Sequence, residues 1–326
     1  MTLIFLANRL GSNNSPVLRN LQTGGLMDRL KGLATYSVLC NALKTTPTVL
    51  WTEPYRYSDL FRNNESLTTL NAVPGADIAL INLLNNRCSS VSYSWLFSEL
   101  TKSRNADIPI LVSVNKPPLD RVVYPLLSAV FDHFGISMPC SDLLDSTDIV
   151  FNQLGLVFKE PASENTWNQY SSIITKQTFV IAFHIRLGGV IGGLKDPDLC
   201  DSSQVLEAIA DSIKKLDSEC KKILYVIMSD SNSFKKQISA HFSARHDLLI
   251  SPVVPFHIDD ASSSFCMAPP VDNILQDISV LRSANFVFTT KGAFARICAQ
   301  SAGLPFGNIM NSQTIKECKR LLRAYY

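Results

Sequence analysis

Two stretches of this chain, Phe179-Val180-Ile181-Ala182-Phe183 and Ile223-Leu224-Tyr225-Val226-Ile227-Met228, are apolar without interruption. A strand with one wet face alternates polar and apolar residues. A strand that is apolar at every position must be covered on both faces. That requirement points to a parallel sheet, whose crossover connections lay helices over both sides. The rest of the chain agrees. Strand-like runs at Thr2–Ala7, Thr48–Trp51, Asp77–Asn82, Ile108–Val114, Thr178–His184, Lys222–Met228, Asp247–Ile250 and Phe286–Phe288 alternate with amphipathic stretches, among them Leu26–Lys44, Val122–Phe134, Ser203–Leu216 and Ala293–Ser301. The sequence therefore predicts an α/β chain of repeated βαβ units.

At 326 residues and 46% hydrophobic, the chain can bury two cores of moderate size. A polar segment, Lys159–Gln177, carries Pro161, Ser163, Glu164, Asn165 and Asn168 just before the strongest strand. It predicts a boundary between an N-terminal domain, residues 1–165, and a C-terminal domain, residues 166–326. No internal repeat or low-complexity tract interrupts either half.

Charge excludes several classes of partner. Lys and Arg total 30 against 28 Asp and Glu, a formal charge of +2. That balance gives no footprint for nucleic acid or an anionic membrane. The pairs Lys221-Lys222 and Lys235-Lys236 are too short to change it. No stretch approaches the roughly 18 apolar residues of a membrane span. The N-terminal MTLIFLANRLGSNNS has no basic leader and a short apolar run, so it is expected to be a first buried strand rather than a signal peptide, and the protein cytoplasmic. Eight scattered cysteines without a C-x-x-C pair suit reduced thiols, and the five histidines lack metal-ligand spacing with them. No metal site is predicted.

Four segments carry candidate chemistry. The first is Thr23-Gly24-Gly25-Leu26-Met27-Asp28-Arg29-Leu30-Lys31-Gly32-Leu33. Its glycines would let backbone approach a ligand at a helix N-terminus, with Asp28 and Arg29 in the first turn; a plain glycine turn with a capping carboxylate fits the same residues. The second is His184-Ile185-Arg186-Leu187-Gly188-Gly189-Val190, at the end of the strongest strand. Open α/β sheets bind ligands at that edge, and an arginine there can hold a diphosphate; an arginine paired with a carboxylate is the alternative. Gly188, Gly189, Gly192 and Gly193 are expected to form a flexible loop. They do not spell G-x-G-x-x-G, nor does Lys195 complete a P-loop, which disfavours an NAD-type oxidoreductase. The third is Ser229-Asp230, again at a strand end, suited either to a ribose or base or to capping the next helix. The fourth runs from Asp277 to Arg296 and reads helix, strand, polar turn, helix. Its Thr289, Thr290, Lys291 and the amides near Gly292 would cradle a phosphate at a helix N-terminus.

Taken together and in this order, these segments resemble the fucosyltransferase superfamily that includes the rhizobial nodulation enzymes, the α-1,6-fucosyltransferases and the protein O-fucosyltransferases. His184-Ile185-Arg186 matches that superfamily's H-x-R motif. Ser229-Asp230 is similar to its T-D segment. Asp277-Ile278, Leu281, Ala284, Phe286-Val287, Thr289 and Arg296 follow the spacing of its last donor-binding motif. The glycine turn, with Val49-Leu50-Trp51-Thr52-Glu53-Pro54 beyond it, looks like the acceptor-side half. The resemblance is strongest in the C-terminal half and thin over residues 60–170. Gly189 and Val190 stand where the α-1,6 enzymes carry an acidic-basic pair, and Lys291 and Gly292 where serines are common.

The resemblance implies two Rossmann-like domains facing a cleft (a GT-B fold) and inverting transfer without a metal or other cofactor. It implies GDP-fucose as donor, or another nucleotide sugar, and a glycan or other hydroxyl as acceptor. Donor binding is expected from Gly24, Gly25, Arg29, His184, Arg186, Asp230, Asp277, Thr289, Thr290, Lys291 and Gly292. Arg186 is expected to be catalytic, with Asp28 the candidate general base. Arg56, Tyr57, Asn85, Asn86, Arg87, Asn115 and Lys116 are candidates for sugar hydroxyls. A silent glycan- or partner-binding module of the same fold is the rival reading.

Overall fold

The computed structural model describes residues 2–7, 25–52, 55–72, 79–82, 98, 101, 109–162, 178–191, 194–196, 200–219, 221–253, 271–290 and 292–326. They fall into two compact units, one drawn from Met1–Lys159 and the other from Glu160–Asp260 and Ala268–Tyr326.

The first unit has strands β1 (Leu3–Leu6), β2 (Thr48–Leu50), β3 (Thr68–Leu70), β4 (Ala79–Asn82) and β5 (Ile110–Ser113). They form one sheet in the order β3-β2-β1-β5-β4, with every pairing parallel. Its helices are α1 (Leu26–Leu43), the single turn α2 (Tyr57–Leu60) and α3 (Val123–His133). Strands β1 and β5 are buried at every position, as unbroken apolar strands must be.

Helix α1 is buried on most of its faces, from Leu26 and Met27 to Cys40 and Ala42. Three contacts tie it to the sheet. The Tyr36 hydroxyl donates to the Leu3 carbonyl at 2.7 Å and accepts the Thr48 amide at 3.0 Å. The Thr35 hydroxyl donates to the Lys116 carbonyl at 2.6 Å. At Gly32 the helix backbone lies against the chain leaving β5: a Cβ there would meet the Val114 carbonyl oxygen at 1.8 Å. Only glycine permits that approach. Beyond β2, Trp51 meets Tyr57 and Phe61 edge-on, and Phe61 stacks on Phe158 with centroids 4.9 Å apart.

The second unit has strands β6 (Phe179–Ile185), β7 (Gly189–Ile191), β8 (Leu194–Asp196), β9 (Ile223–Ser229), β10 (Leu248–Ile250), β11 (Phe286–Thr289) and β12 (Phe306–Asn308). The main sheet is wholly parallel, in the order β10-β9-β6-β11-β12. Its helices are α4 (Ser202–Asp217), α5 (Asn232–His241), α6 (Val271–Ser283), α7 (Phe294–Ser301) and α8 (Ser312–Tyr325). Strand β6 is central and pairs with β9 from Phe179↔Ile223 to Ile185↔Ser229. The chain steps from β6 to β9 to β10 on one side, then returns to lay β11 and β12 on the other. Strand order therefore reverses between β6 and β11.

Phe183 and Phe288 stack across that junction at 5.0 Å, inside a core with Ile209, Ile213, Leu216, Ile315 and Leu322. Each such side chain removed from water contributes about 2 kcal/mol. Helices α4, α5 and α8 start at Asp201, Ser231 and Asn311, whose side chains accept amides of the first turn.

The structure departs from the sequence expectations in two places. The glycine-rich stretch after Gly188 is not a plain loop: β7 and β8 pair as an antiparallel ribbon, with Gly192 and Gly193 outside the described residues. Strands β3 and β12 were not expected; both are short edges, only half-buried at best. Within the candidate strand Asp77–Asn82, the described residues Ala79–Asn82 form β4; 77 and 78 lie outside the described residues. Among the described residues no helix is long and apolar enough to cross a membrane, and no three His, Cys, Asp or Glu side chains are placed to hold a metal. The described cysteines are all free, with Cys40, Cys298 and Cys318 buried.

Candidate functional site

In an open α/β sheet, ligands bind beyond the carboxyl ends of the strands, where strand order reverses. In the second unit that place is the end of β6 beside β11. Arg186 stands there, one residue past β6.

Its backbone is held from both sides. The Thr290 hydroxyl, one residue past β11, accepts the Arg186 amide at 2.8 Å and donates to the Arg186 carbonyl at 2.8 Å. One residue past β9, Asp230 accepts the Leu187 amide on Oδ1 at 2.9 Å and the Gly188 amide on Oδ2 at 3.2 Å. Gly188 has φ +76°, in the left-handed region that favours glycine. The Asp230 amide donates back to the Ile185 carbonyl at 3.3 Å.

The Arg186 side chain runs past Gly292, which has φ +104°. A Cβ at that glycine would lie 2.9 Å from Arg186 Cδ, so Gly292 makes room for the arginine stem.

His184 and Phe294 stack with centroids 5.3 Å apart. Burial first, and then the Arg186 charge, push the imidazole down to about 4. His184 is therefore neutral near pH 7 and adds no second positive charge beside Arg186. Thr289 is buried, its hydroxyl donating to the Thr290 carbonyl at 3.3 Å.

Asp277 lies on α6. It accepts the Ser251 hydroxyl at 3.0 Å, just beyond β10. Burial pushes its carboxyl up to about 6, opposed by the Ser251 hydrogen bond and the Lys235 charge. Lys235 is itself pushed down by burial, while Asp277 and Asp230 act to raise it. Its ammonium donates to the Val253 carbonyl. Lys235 thus couples the Asp277 group electrostatically to the Asp230 group. Neither Ser251 nor Lys235 was expected. For Ser251 the strand-end position was an available signal; for Lys235, one turn into α5, there was none.

Two of the open readings are resolved. Asp230 does not cap the next helix; Ser231 does, accepting the Phe234 amide at 3.2 Å. Nor does a carboxylate cap α1. Its N-cap is Gly25, without a side-chain hydrogen bond, and Asp28 pairs with Lys31 at 2.9 Å instead. Gly25 has an extended backbone and no described atom within 4 Å of where a Cβ would stand. Arg29 is 1% exposed, its guanidinium 5.7 Å above the Trp51 ring. Arg56 donates its amide to Asp59 at 2.8 Å. Gly24, Asn85, Asn86, Arg87 and Lys291 lie outside the described residues.

The structure thus brings His184, Arg186, Asp230, Thr289, Thr290 and Gly292 together, with Asp277 linked to them through Lys235. Gly25, Asp28 and Arg29 belong to the first unit.

No protein-family profile matches this sequence, and no curated protein does. Solved structures match over nearly the whole chain. POFUT1 in complex with GDP, in a high-resolution form, gives a TM-score of 0.52 at 10% identity, covering 94% of this chain and 98% of that one. POFUT1 in complex with GDP-fucose gives 0.50 at 10% identity, over 94% and 97%. NodZ α-1,6-fucosyltransferase co-crystallized with GDP gives 0.47 at 15% identity, over 91% and 92%. The fold is α/β with two Rossmann-like parallel sheets, of the GT-B class. At the level of fold, the chain is similar to these fucosyltransferase structures.

Proposed function

We propose that this chain is an inverting glycosyltransferase that needs no metal and takes its sugar from a nucleoside diphosphate donor, with GDP-fucose the first candidate. The observation that carries the reading is Arg186, held at the strand-order reversal by Thr290 and Asp230. As a sugar–diphosphate bond breaks, negative charge grows on the leaving phosphate. A cation already fixed in place stabilises that charge without reorganising. Neutral His184 offers a hydrogen bond beside Arg186 without repelling it. The Asp277 carboxyl and Ser251 suit the N–H groups of a base, and the POFUT1 structures of like fold hold GDP or GDP-fucose.

In this reading a glycan or other hydroxyl acceptor attacks the anomeric carbon on the face opposite the diphosphate. The new C–O bond forms as the bond to the diphosphate breaks, through an oxocarbenium-like transition state. The acceptor's proton passes to a base, for which Asp28 in the first turn of α1 is the candidate.

The test is a thermal-shift screen with GDP, UDP, CDP and dTDP, EDTA present throughout. A GDP-selective shift is expected, worth about 2.7 kcal/mol at a hundredfold excess over Kd. Arg186→Ala should cut transfer by ~10³-fold or more while leaving the melting temperature unchanged. Near-normal turnover of that variant would sink the assignment. A UDP- or CDP-selective shift would replace the donor but keep the reaction. Binding without turnover on any sugar nucleotide would favour the silent module.

A further inference from the structure

We infer that Asp230 and Thr290 serve the reaction as positioning residues, acting through the backbone of Arg186–Gly188 and not by touching the donor. The inference rests on the reading of Arg186 as the cation for the diphosphate.

The argument is an accounting of hydrogen bonds. The ladder of β6 with β9 ends at Ile185↔Ser229. Beyond it, backbone groups at the sheet edge need partners. Two side chains from the flanking strands take four of them: the Arg186 amide, the Arg186 carbonyl, the Leu187 amide and the Gly188 amide. No other strand end in this sheet shows such a pair of side-chain clamps among the described residues.

The chemistry of the two side chains points the same way. A threonine hydroxyl has one proton. The Thr290 proton already goes to the Arg186 carbonyl. A phosphate oxygen is an acceptor, so Thr290 can serve it only by releasing Arg186. Asp230, as a carboxylate, is an acceptor only and would repel a diphosphate. Both of its oxygens face amides of the turn that carries Arg186. Each group is unsuited to the diphosphate and well suited to the backbone it holds. Gly292 completes the arrangement by leaving space for the arginine stem. Placement of the cation follows, which is the larger part of what such a site supplies.

The experiment is a double-mutant cycle read by calorimetry with GDP in EDTA, on the full chain. Thr290→Val and Asp230→Asn are each expected to weaken GDP binding about tenfold, as for residues in one hydrogen-bond network. In the Arg186→Ala background, the same two substitutions should change binding less than about twofold. Thr290→Ser, which keeps the hydroxyl, should bind as the wild type does. Losses as large without Arg186 as with it would mean direct contact with the nucleotide, and would overturn the inference.

Amide exchange measured by NMR guards against simple misfolding. In Asp230→Asn the Leu187 and Gly188 amides should exchange faster while those of β9 do not. Unchanged exchange at both would also overturn the inference. Failure of the donor reading looks different. The wild type would then bind none of GDP, UDP, CDP or dTDP, and the positioning role would fall with it.

Discussion

At the carboxyl edge of the second unit's sheet, the polar groups left by the strands are taken up by neighbours: Thr290 and Asp230 on Arg186–Gly188, Ser251 on Asp277. At the same edge of the first unit's sheet, Trp51 Nε1, the Tyr57 hydroxyl, Ser113 Oγ and Asn115 Oδ1 are buried atoms with no hydrogen-bond partner among the described residues. A buried polar atom left unpaired costs about 1–3 kcal/mol. The second unit has removed that cost around its arginine; in the first unit these four atoms stay unpaired among the described residues. Among the described residues, the first unit's edge is held by close backbone packing at Gly32 and by the Thr35 hydroxyl on the Lys116 carbonyl. Two sheets of like topology have thus been finished by different means.

The largest expected effect tests that packing. Gly32→Ala should destabilise the protein by ~3 kcal/mol or more in urea unfolding, because the new Cβ has no room. Gly25→Ala, with no described atom within 4 Å of its Cβ, should change stability by less than ~1 kcal/mol. Equal effects would show that the edge is not held at Gly32.

Next come two titrations in the second unit, with opposite signs. Asp277 sits at about 6 in the fold against an ordinary 3.8. Its contribution to stability is full below pH 3.8 and is lost as pH rises through about 6. His184 sits at about 4 against 6.5; its contribution is full above pH 6.5 and is lost as pH falls through about 4. Each swing is on the order of 2–3 kcal/mol. Compared with wild type, Asp277→Asn should therefore gain relative stability from pH 4 to 7, and His184→Gln should gain it from pH 7 to 4. Unfolding curves of the three proteins across that range check both signs.

The smallest effects form a matched pair. Thr290→Val strands two backbone groups and should cost about 1–3 kcal/mol. Tyr57→Phe removes a hydroxyl that has no partner among the described residues, and should be neutral to within ~1 kcal/mol or slightly stabilising. A Tyr57→Phe loss as large as that of Thr290→Val would erase the contrast between the two edges.

The fold was largely legible because buried parallel strands write themselves as apolar runs, and β6 and β9 lie where Phe179–Phe183 and Ile223–Met228 predict them. Strands β3 and β12 were not legible. TTL and FGN are too short for any period, and an edge strand need not be apolar. The position of Arg186 could be read from the strand preceding it. The work of Asp230 could not: Ser229-Asp230-Ser231 offers two capping residues side by side, and only tertiary structure shows that Ser231 caps while Asp230 reaches back to Leu187 and Gly188. Gly32 was visible as a residue, but its reason, the Val114 carbonyl, lies more than eighty positions away and leaves no local trace.

The clamp on Arg186 joins groups 104 residues apart in the chain. Loop closure over that span precedes any reward from the contact, so it belongs with the late, non-local pairings of the sheet. Strands β6, β9 and β10 can assemble from consecutive segments and bring Asp230 beneath the turn. Until β11 inserts on the far side of β6, the arginine is tethered on one side only. The clamp on the Arg186 backbone is therefore complete only once β11 has joined the sheet.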